Sequence, residues 1–168
     1  MLDCLYDKFP KFATLLGSGR GNPIEHVRPP ASNEGLRNLE SRLGIPLPDS
    51  YKDFLSCTRA FTLRGGSIQF SSWHPFFHKF PPLDQLTTEQ RERATQKGGV
   101  WPPPSQGMLC FAEFFLEGDD DQVLFDVKQG LVAGEYPVMY YAHHAPPSVR
   151  QLTASFPEFL DKCLTYFG

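Results

Sequence analysis

The residues best suited to binding chemistry form an acidic segment in the second half of the chain. Only Lys128 interrupts its carboxylates, which are Glu113, Glu117, Asp119, Asp120, Asp121, Asp126 and Glu135. The segment is more negative than the whole chain, whose formal net charge is -3, so the remainder is net positive. The spacing and closing glutamate of an EF-hand calcium loop are missing. Two interpretations stay open: a solvated hairpin tip, or a partner-facing acidic surface carried by Glu117, Asp119, Asp120 and Asp121.

A second candidate binding region is an aromatic, proline-broken segment that begins near residue 72. Trp73, Phe76 and Phe77 are of the residue types that dominate binding hot spots. Aromatic residues on a loop also pack as a satellite of the core, which is the interpretation that the sequence favours. A partner-facing role for these three side chains stays open.

Residue types that could support catalysis or bind a metal occur without the arrangement that such chemistry needs. His143 and His144 end a predicted strand, where adjacent side chains point to opposite faces and do not converge on one ion. Cys57 lies among apolar residues of a predicted helix, whereas a nucleophile needs a base and an electropositive setting. We therefore expect no enzyme, and no catalytic residue, metal, cofactor or small-molecule substrate.

The composition predicts one globular unit. With 168 residues, 40% of them hydrophobic and 21% charged, the chain can bury a single core. The negative net charge argues against nucleic-acid binding, which needs an excess of Lys and Arg. The N-terminus lacks the basic start of a secretory signal, and no run of about twenty apolar residues could span a bilayer. We expect a cytoplasmic protein without a membrane partner.

The cysteines give no metal or redox motif. Cys4, Cys57, Cys110 and Cys163 are scattered along the chain, contain no CxxC pair and have apolar neighbours. This pattern favours reduced, buried thiols over disulfides.

Helical signals flank a short corner rich in proline. Residues 1–31 form an extension, with a helical segment that Pro10 should kink or split and a connector rich in Gly and Pro. Ser32 or Asn33 can cap the next helix, which ends at Gly44. Pro48 suits the first turn of a second helix, whose buried face includes Tyr51.

The sequence of the second half of the chain predicts strands followed by a helix. The runs GMLCFAEFF, QVLFDV and YPVMYYAHH are typical of an antiparallel meander. Ser155 and Glu158 have capping-box spacing at the start of the closing helix. We expect an α+β fold in which helices pack against one antiparallel, twisted β-sheet, with a closing C-terminal helix.

These motifs together resemble the SUKH superfamily (SMI/KNR-like). The helix pattern xxLExxLG is followed by LPxxYKxFL, which contains Leu47, Pro48, Tyr51, Lys52, Phe54 and Leu55. The stretches CFAEFF, GDDDQVLFDV and LTASFPEFL then follow in the order of that family. Where many members have Asn-Gly after the second helix, this chain reads CTRAFTLRGG, so that loop departs from the family pattern. The resemblance assigns residues 32–168 to a SUKH-like α+β domain.

The resemblance implies an immunity protein that neutralises a cognate secreted toxin by stoichiometric binding, as a heterodimer and without catalysis. The alternative is an intracellular scaffold or regulator, similar to regulators of fungal cell-wall synthesis, that has no toxin partner. We expect Leu47, Pro48, Tyr51, Phe54 and Leu55 to form a structural motif that shapes the fold and does not touch the partner.

Overall fold

The computed structural model describes residues 2–11, 24–25, 27–63, 68–71, 108–114, 121–142 and 148–167. The helices in these ranges are α1 (Leu2–Lys8), α2 (Asn33–Leu43), α3 (Asp49–Cys57) and α4 (Phe156–Phe167). The strands are β1 (Ile24–Glu25), β2 (Ala60–Leu63), β3 (Ile68–Ser71), β4 (Met108–Phe114), β5 (Gln122–Asp126), β6 (Val138–Ala142) and β7 (Ser148–Thr153).

The strands form one sheet in which each strand pairs antiparallel with the next along the chain. The main core lies between this sheet and the helices. Alternate residues of β4, β5 and β6, such as Phe111, Phe125 and Val138, join the buried faces of α2, α3 and α4 there. The predicted α+β fold with a closing C-terminal helix is therefore confirmed.

Local capping signals fix the ends of α2. Ser32 Oγ accepts a hydrogen bond from the Gly35 amide at 3.0 Å, as expected of an N-cap. Gly44 adopts a left-handed conformation with φ of 66° and donates its amide to the Glu40 carbonyl at 2.9 Å. Pro48 lies one residue earlier than predicted, at the N-cap of α3, and its carbonyl accepts the Lys52 amide at 2.9 Å. Pro46 and Pro48 lie between α2 and α3, so this corner rich in proline separates the two helices, as the sequence predicts.

Contacts from outside the corner hold it in place. Glu40 Oε1 accepts the Leu47 amide at 2.7 Å, which ties the corner to the preceding helix. Tyr136 donates its hydroxyl to the Pro46 carbonyl at 2.9 Å, which ties the corner to the loop before β6. The corner therefore sets the direction in which α3 starts.

Tyr51 lies at the centre of the core. Its ring centroid is 4.9 Å from that of Phe156 in α4 and 5.2 Å from that of Phe125 in β5. It also lies 5.6 Å from Phe111 in β4 and stacks on Phe54 within α3 at 5.8 Å. Because Tyr51 is fully buried, desolvation raises the pKa of its hydroxyl well above the usual value.

A disulfide joins α1 to the main body. Cys4 and Cys57 are bonded, so the expectation that all four cysteines are reduced thiols is wrong for this pair. Because α1 packs beside α3, the two Cα atoms lie 5.4 Å apart. This distance is within the usual range for a disulfide. Cys110 is a buried free thiol, and the side chain of Cys163 lies outside the described residues.

A capping box starts α4, as the sequence predicts. The Glu158 amide donates to Ser155 Oγ at 3.4 Å, and Glu158 Oε2 accepts the Ala154 amide at 3.0 Å. Glu158 also pairs with Lys162 at 3.0 Å, one turn later in the helix. Hydrogen bonding from Lys162, followed by that from Ala154, lowers the pKa of Glu158 below its ordinary value of 4.5.

We predict that Tyr51→Ala will lower the free energy of unfolding by about 3 kcal/mol, because it removes a fully buried ring from the aromatic core. Urea denaturation followed by circular dichroism measures this loss. Tyr51→Phe is the matched control, since it keeps the ring contacts and should cost only about 1 kcal/mol. An alanine variant as stable as the wild type would contradict the central position of this ring.

We also predict that Glu158→Gln will weaken the pH dependence of stability on the acid side. A carboxyl whose folded-state pKa is lowered stabilises the fold above its ordinary value of 4.5. This contribution disappears as the pH falls through the lower folded-state value. Unfolding free energies measured from about pH 2 to pH 7 should therefore decline less steeply for the variant. Lys162→Met, which removes the largest cause of the shift, should lie between them, and identical profiles would contradict the assignment.

Candidate functional site

The sheet carries a second, smaller apolar cluster on the face that points away from the main core. It contains Met108 and Cys110 from β4, Leu124 from β5 and Tyr141 from β6, all of them buried. Gln122 is also buried, and no donor in the described part of the chain reaches its Oε1 atom. This part of the sheet is therefore not an open surface for a partner.

Asp121 lies immediately before β5 and is fully buried. The expectation that this residue stands at an exposed turn is wrong. Val123 pairs with Tyr140 in the sheet, and Asp121 lies two residues earlier, on the same face. That register brings the carboxylate within 2.5 Å of the Tyr140 hydroxyl, which donates a hydrogen bond to Asp121 Oδ2. Asp121 is thus an internal contact and does not belong to the predicted acidic surface.

Tyr140 links this carboxylate to the last strand. Arg150 on β7 pairs with Tyr140, and its guanidinium carbon lies 4.9 Å from the centre of the tyrosine ring. A cation over the face of an aromatic ring is attracted to it. Burial, followed by the charge of Asp121, raises the pKa of the neighbouring Tyr141. The buried carboxylate, the tyrosine and the arginine therefore connect β5, β6 and β7.

The other proposed binding residues cannot be placed. Glu117, Asp119 and Asp120 lie outside the described residues, and so do Trp73, Phe76 and Phe77. Their roles stay predictions. The link from Asp121 to Tyr140 fixes the chain at the start of β5.

The loop between β5 and β6 presents a fixed apolar tip. Val132 and Glu135 exchange backbone hydrogen bonds of 2.9 and 3.1 Å around Ala133 and Gly134, whose φ angles are 52° and 81°. Two successive positive φ angles are typical of a tight hairpin turn. Val132 is 62% exposed, more than any other large hydrophobic residue that the structure describes. The tip is thus available for an apolar contact.

Polar contacts hold this loop against its surroundings. Glu135 Oε2 accepts the amide of Phe156 at 3.2 Å, where a carboxylate is favourable at the start of α4. The Lys128 amide donates to Asp126 Oδ1 at 3.2 Å at the other end of the loop. The loop is therefore held at Asp126 and at the start of α4.

The residues of the LPxxYKxFL motif serve the interior. Leu47, Pro48, Tyr51, Phe54 and Leu55 are all buried. Lys52, which lies between them, pairs with Asp49 at 2.8 Å and with Glu40 at 3.7 Å. The hydrogen bond to Asp49 is the largest cause of its raised pKa. The motif therefore builds the corner and the core.

The family model described as SMI1 / KNR4 family (SUKH-1) matches residues 30–162. The chain belongs to the SMI1 / KNR4 family (SUKH-1). This confirms the resemblance inferred from the motifs. The SUKH-1 match starts just before the N-cap of α2 and ends inside α4, so α1 and β1 precede it. A search of curated proteins gave no match.

In the described part of this SUKH-1 chain, no three His, Cys, Asp or Glu side chains are placed to hold a metal ion. No helix in the same part is both long enough and apolar enough to cross a membrane.

Sequence reasoning missed the partners of Asp121 and the exposed tip. Tyr140 and Arg150 meet only through the pairing of β6 with β7, and no local motif signals that pairing. The sequence LVAGE does contain a glycine suited to a hairpin turn, and this signal could have drawn attention to Val132.

We predict that Asp121 and Tyr140 are energetically coupled. Tyr140→Phe removes the hydroxyl that donates to a buried carboxylate and should cost roughly 2 kcal/mol of stability. A double-mutant cycle with Asp121→Asn, measured by chemical denaturation, separates the pairwise contribution from the individual losses. The double variant should be more stable than the sum of the two single losses implies. Simple additivity would show that the hydrogen bond contributes no stability.

Proposed function

We propose that this SUKH-1 protein is an immunity protein that binds a cognate toxin and neutralises it through a stoichiometric complex in the cytoplasm. Membership of the SMI1 / KNR4 family is the observation that carries the proposal. The complex is a heterodimer that needs no catalysis, no cofactor and no nucleic acid.

Three carboxylates of the described fold make internal contacts. Asp121 accepts from Tyr140, Glu135 accepts from the start of α4, and Glu40 accepts from the corner at Leu47. Each of these carboxylates holds two parts of the fold together. These three carboxylates are therefore left out of the partner surface that we propose.

The partner surface that we propose is the acidic segment, now restricted to Glu117, Asp119 and Asp120. Carboxylates on a binding surface speed the approach of a basic partner by electrostatic steering. A toxin that handles nucleic acid presents such a basic surface.

Co-expression in a sensitive host tests the function. The cognate toxin gene is induced in cells that do or do not express this protein, and surviving cells are counted. Full survival at matched expression, together with a one-to-one complex on size-exclusion chromatography with light scattering, is the expected result. Killing at matched expression, with the protein folded, would overturn the proposal and favour a regulator without a toxin partner.

The acidic surface gives a separate prediction. Glu117→Gln, Asp119→Asn and Asp120→Asn together should lower the association rate with the toxin about tenfold at low salt and flatten its salt dependence. Stopped-flow binding at two ionic strengths measures both quantities. The fold should be unaffected, because this variant leaves the buried Asp121 unchanged.

A matched control removes the same amount of charge elsewhere. Asp3→Asn, Asp7→Asn and Glu34→Gln neutralise three exposed carboxylates of α1 and α2. This control should keep most of the rate and the salt slope. Equal effects from the two triple variants would show that net charge, and not the acidic segment, governs association. An unchanged rate in both would direct the search to Trp73, Phe76 and Phe77.

A further inference from the structure

The helix α1 occupies a groove between α3 and α4. Phe9, directly after the helix, lies 6.4 Å from Phe54 of α3 and 6.4 Å from Phe156 of α4, measured between ring centroids. Leu5 is fully buried in the same core cluster. Helix α1 precedes the region that the family model matches, whereas both walls of the groove begin within it. An added segment therefore covers a surface of the family domain.

The polar contacts at α1 and directly after it include ion pairs at the protein surface. Lys8 pairs with Asp53 and donates to Ser56 Oγ, both in α3. Lys11 pairs with Asp161 of α4 at 2.6 Å. These ion pairs are partly exposed, and such pairs add little stability. A helix of seven residues is also too short to be stable by itself in water. The bond between Cys4 and Cys57 adds a covalent constraint that keeps α1 in the groove.

We propose that the Cys4–Cys57 disulfide is a reversible redox latch that holds α1 between α3 and α4. When the bond is intact, the apolar side chains of α1 cover the groove. When the bond is reduced, α1 leaves and the edges of Phe54 and Phe156 become accessible. Disulfides in a reducing cytoplasm are usually transient or redox-sensing, so a latch also fits the location proposed above without depending on it.

Thiol–disulfide exchange with a cellular thiol of the glutathione or thioredoxin class operates the latch. Cys4 is only partly buried, whereas Cys57 is buried, so the incoming thiolate attacks the sulfur of Cys4. The bond between the two protein sulfurs breaks, and Cys57 leaves as a thiolate that takes up a proton. A second thiol then attacks the mixed disulfide and releases the Cys4 thiol. The protein gains two electrons and two protons, and two cellular thiols are oxidised to one disulfide.

Hydrogen–deuterium exchange of the full chain tests the latch. Oxidised protein and protein reduced with glutathione are compared, and intact mass verifies the gain of two hydrogen atoms. Amides of residues 2–11 should exchange on the order of tenfold faster after reduction, while those of β4, β5 and β6 keep their protection. Reoxidation with glutathione disulfide should restore the original pattern.

Two variants sharpen the test. Cys4→Ser should reproduce the reduced pattern without any reductant. Cys110→Ala, which alters the free buried thiol, should respond to reduction as the wild type does. Unchanged protection of α1 after reduction would overturn the latch. A bond that no glutathione ratio reduces in the native protein, or equal loss of protection in β4, β5 and β6, would also overturn it.

Discussion

Burial of the Tyr51 ring is the interaction on which the rest of the structure depends. The ring contacts aromatic side chains from two long-range neighbours of α3, namely the sheet through Phe125 and the closing helix through Phe156. Phe111 and Phe125 stack on each other at 4.1 Å and form the sheet side of this cluster. Aromatic rings bury large areas and prefer such edge-to-face and offset contacts. One residue of α3 thus joins elements that are distant in sequence.

The short corner before α3 sets the direction of the helix that carries Tyr51. Gly44 ends α2 in a left-handed conformation, and Pro48 caps α3 four residues later. The hydroxyl of Tyr136 holds the Pro46 carbonyl, so the loop before β6 fixes the corner from outside. The family motif is therefore a device for core packing. Leu47, Tyr51, Phe54 and Leu55 of this motif are fully buried in the interior.

The sequence predicted those features whose causes are local. Ser32, Gly44 and the pair Ser155 and Glu158 act within a few residues, and the structure confirms them as caps. Strand β7 was not predicted, because four of its six residues are exposed and its burial does not alternate. It forms a strand through its pairing with β6. The disulfide depends on the packing of α1 beside α3, which no spacing of cysteines reveals.

The acidic segment shows why counting charges in a sequence overstates a surface. Asp121 turns inward because the register of β5 against β6 places it beside the Tyr140 hydroxyl, and Glu135 accepts the first amide of α4. Both carboxylates stabilise the fold, and neither contributes to a free acidic patch. The Asp121 contact fixes the start of β5, and the Glu135 contact ties the loop before β6 to α4. Position in one charged segment of the sequence therefore does not by itself predict that a carboxylate faces a partner.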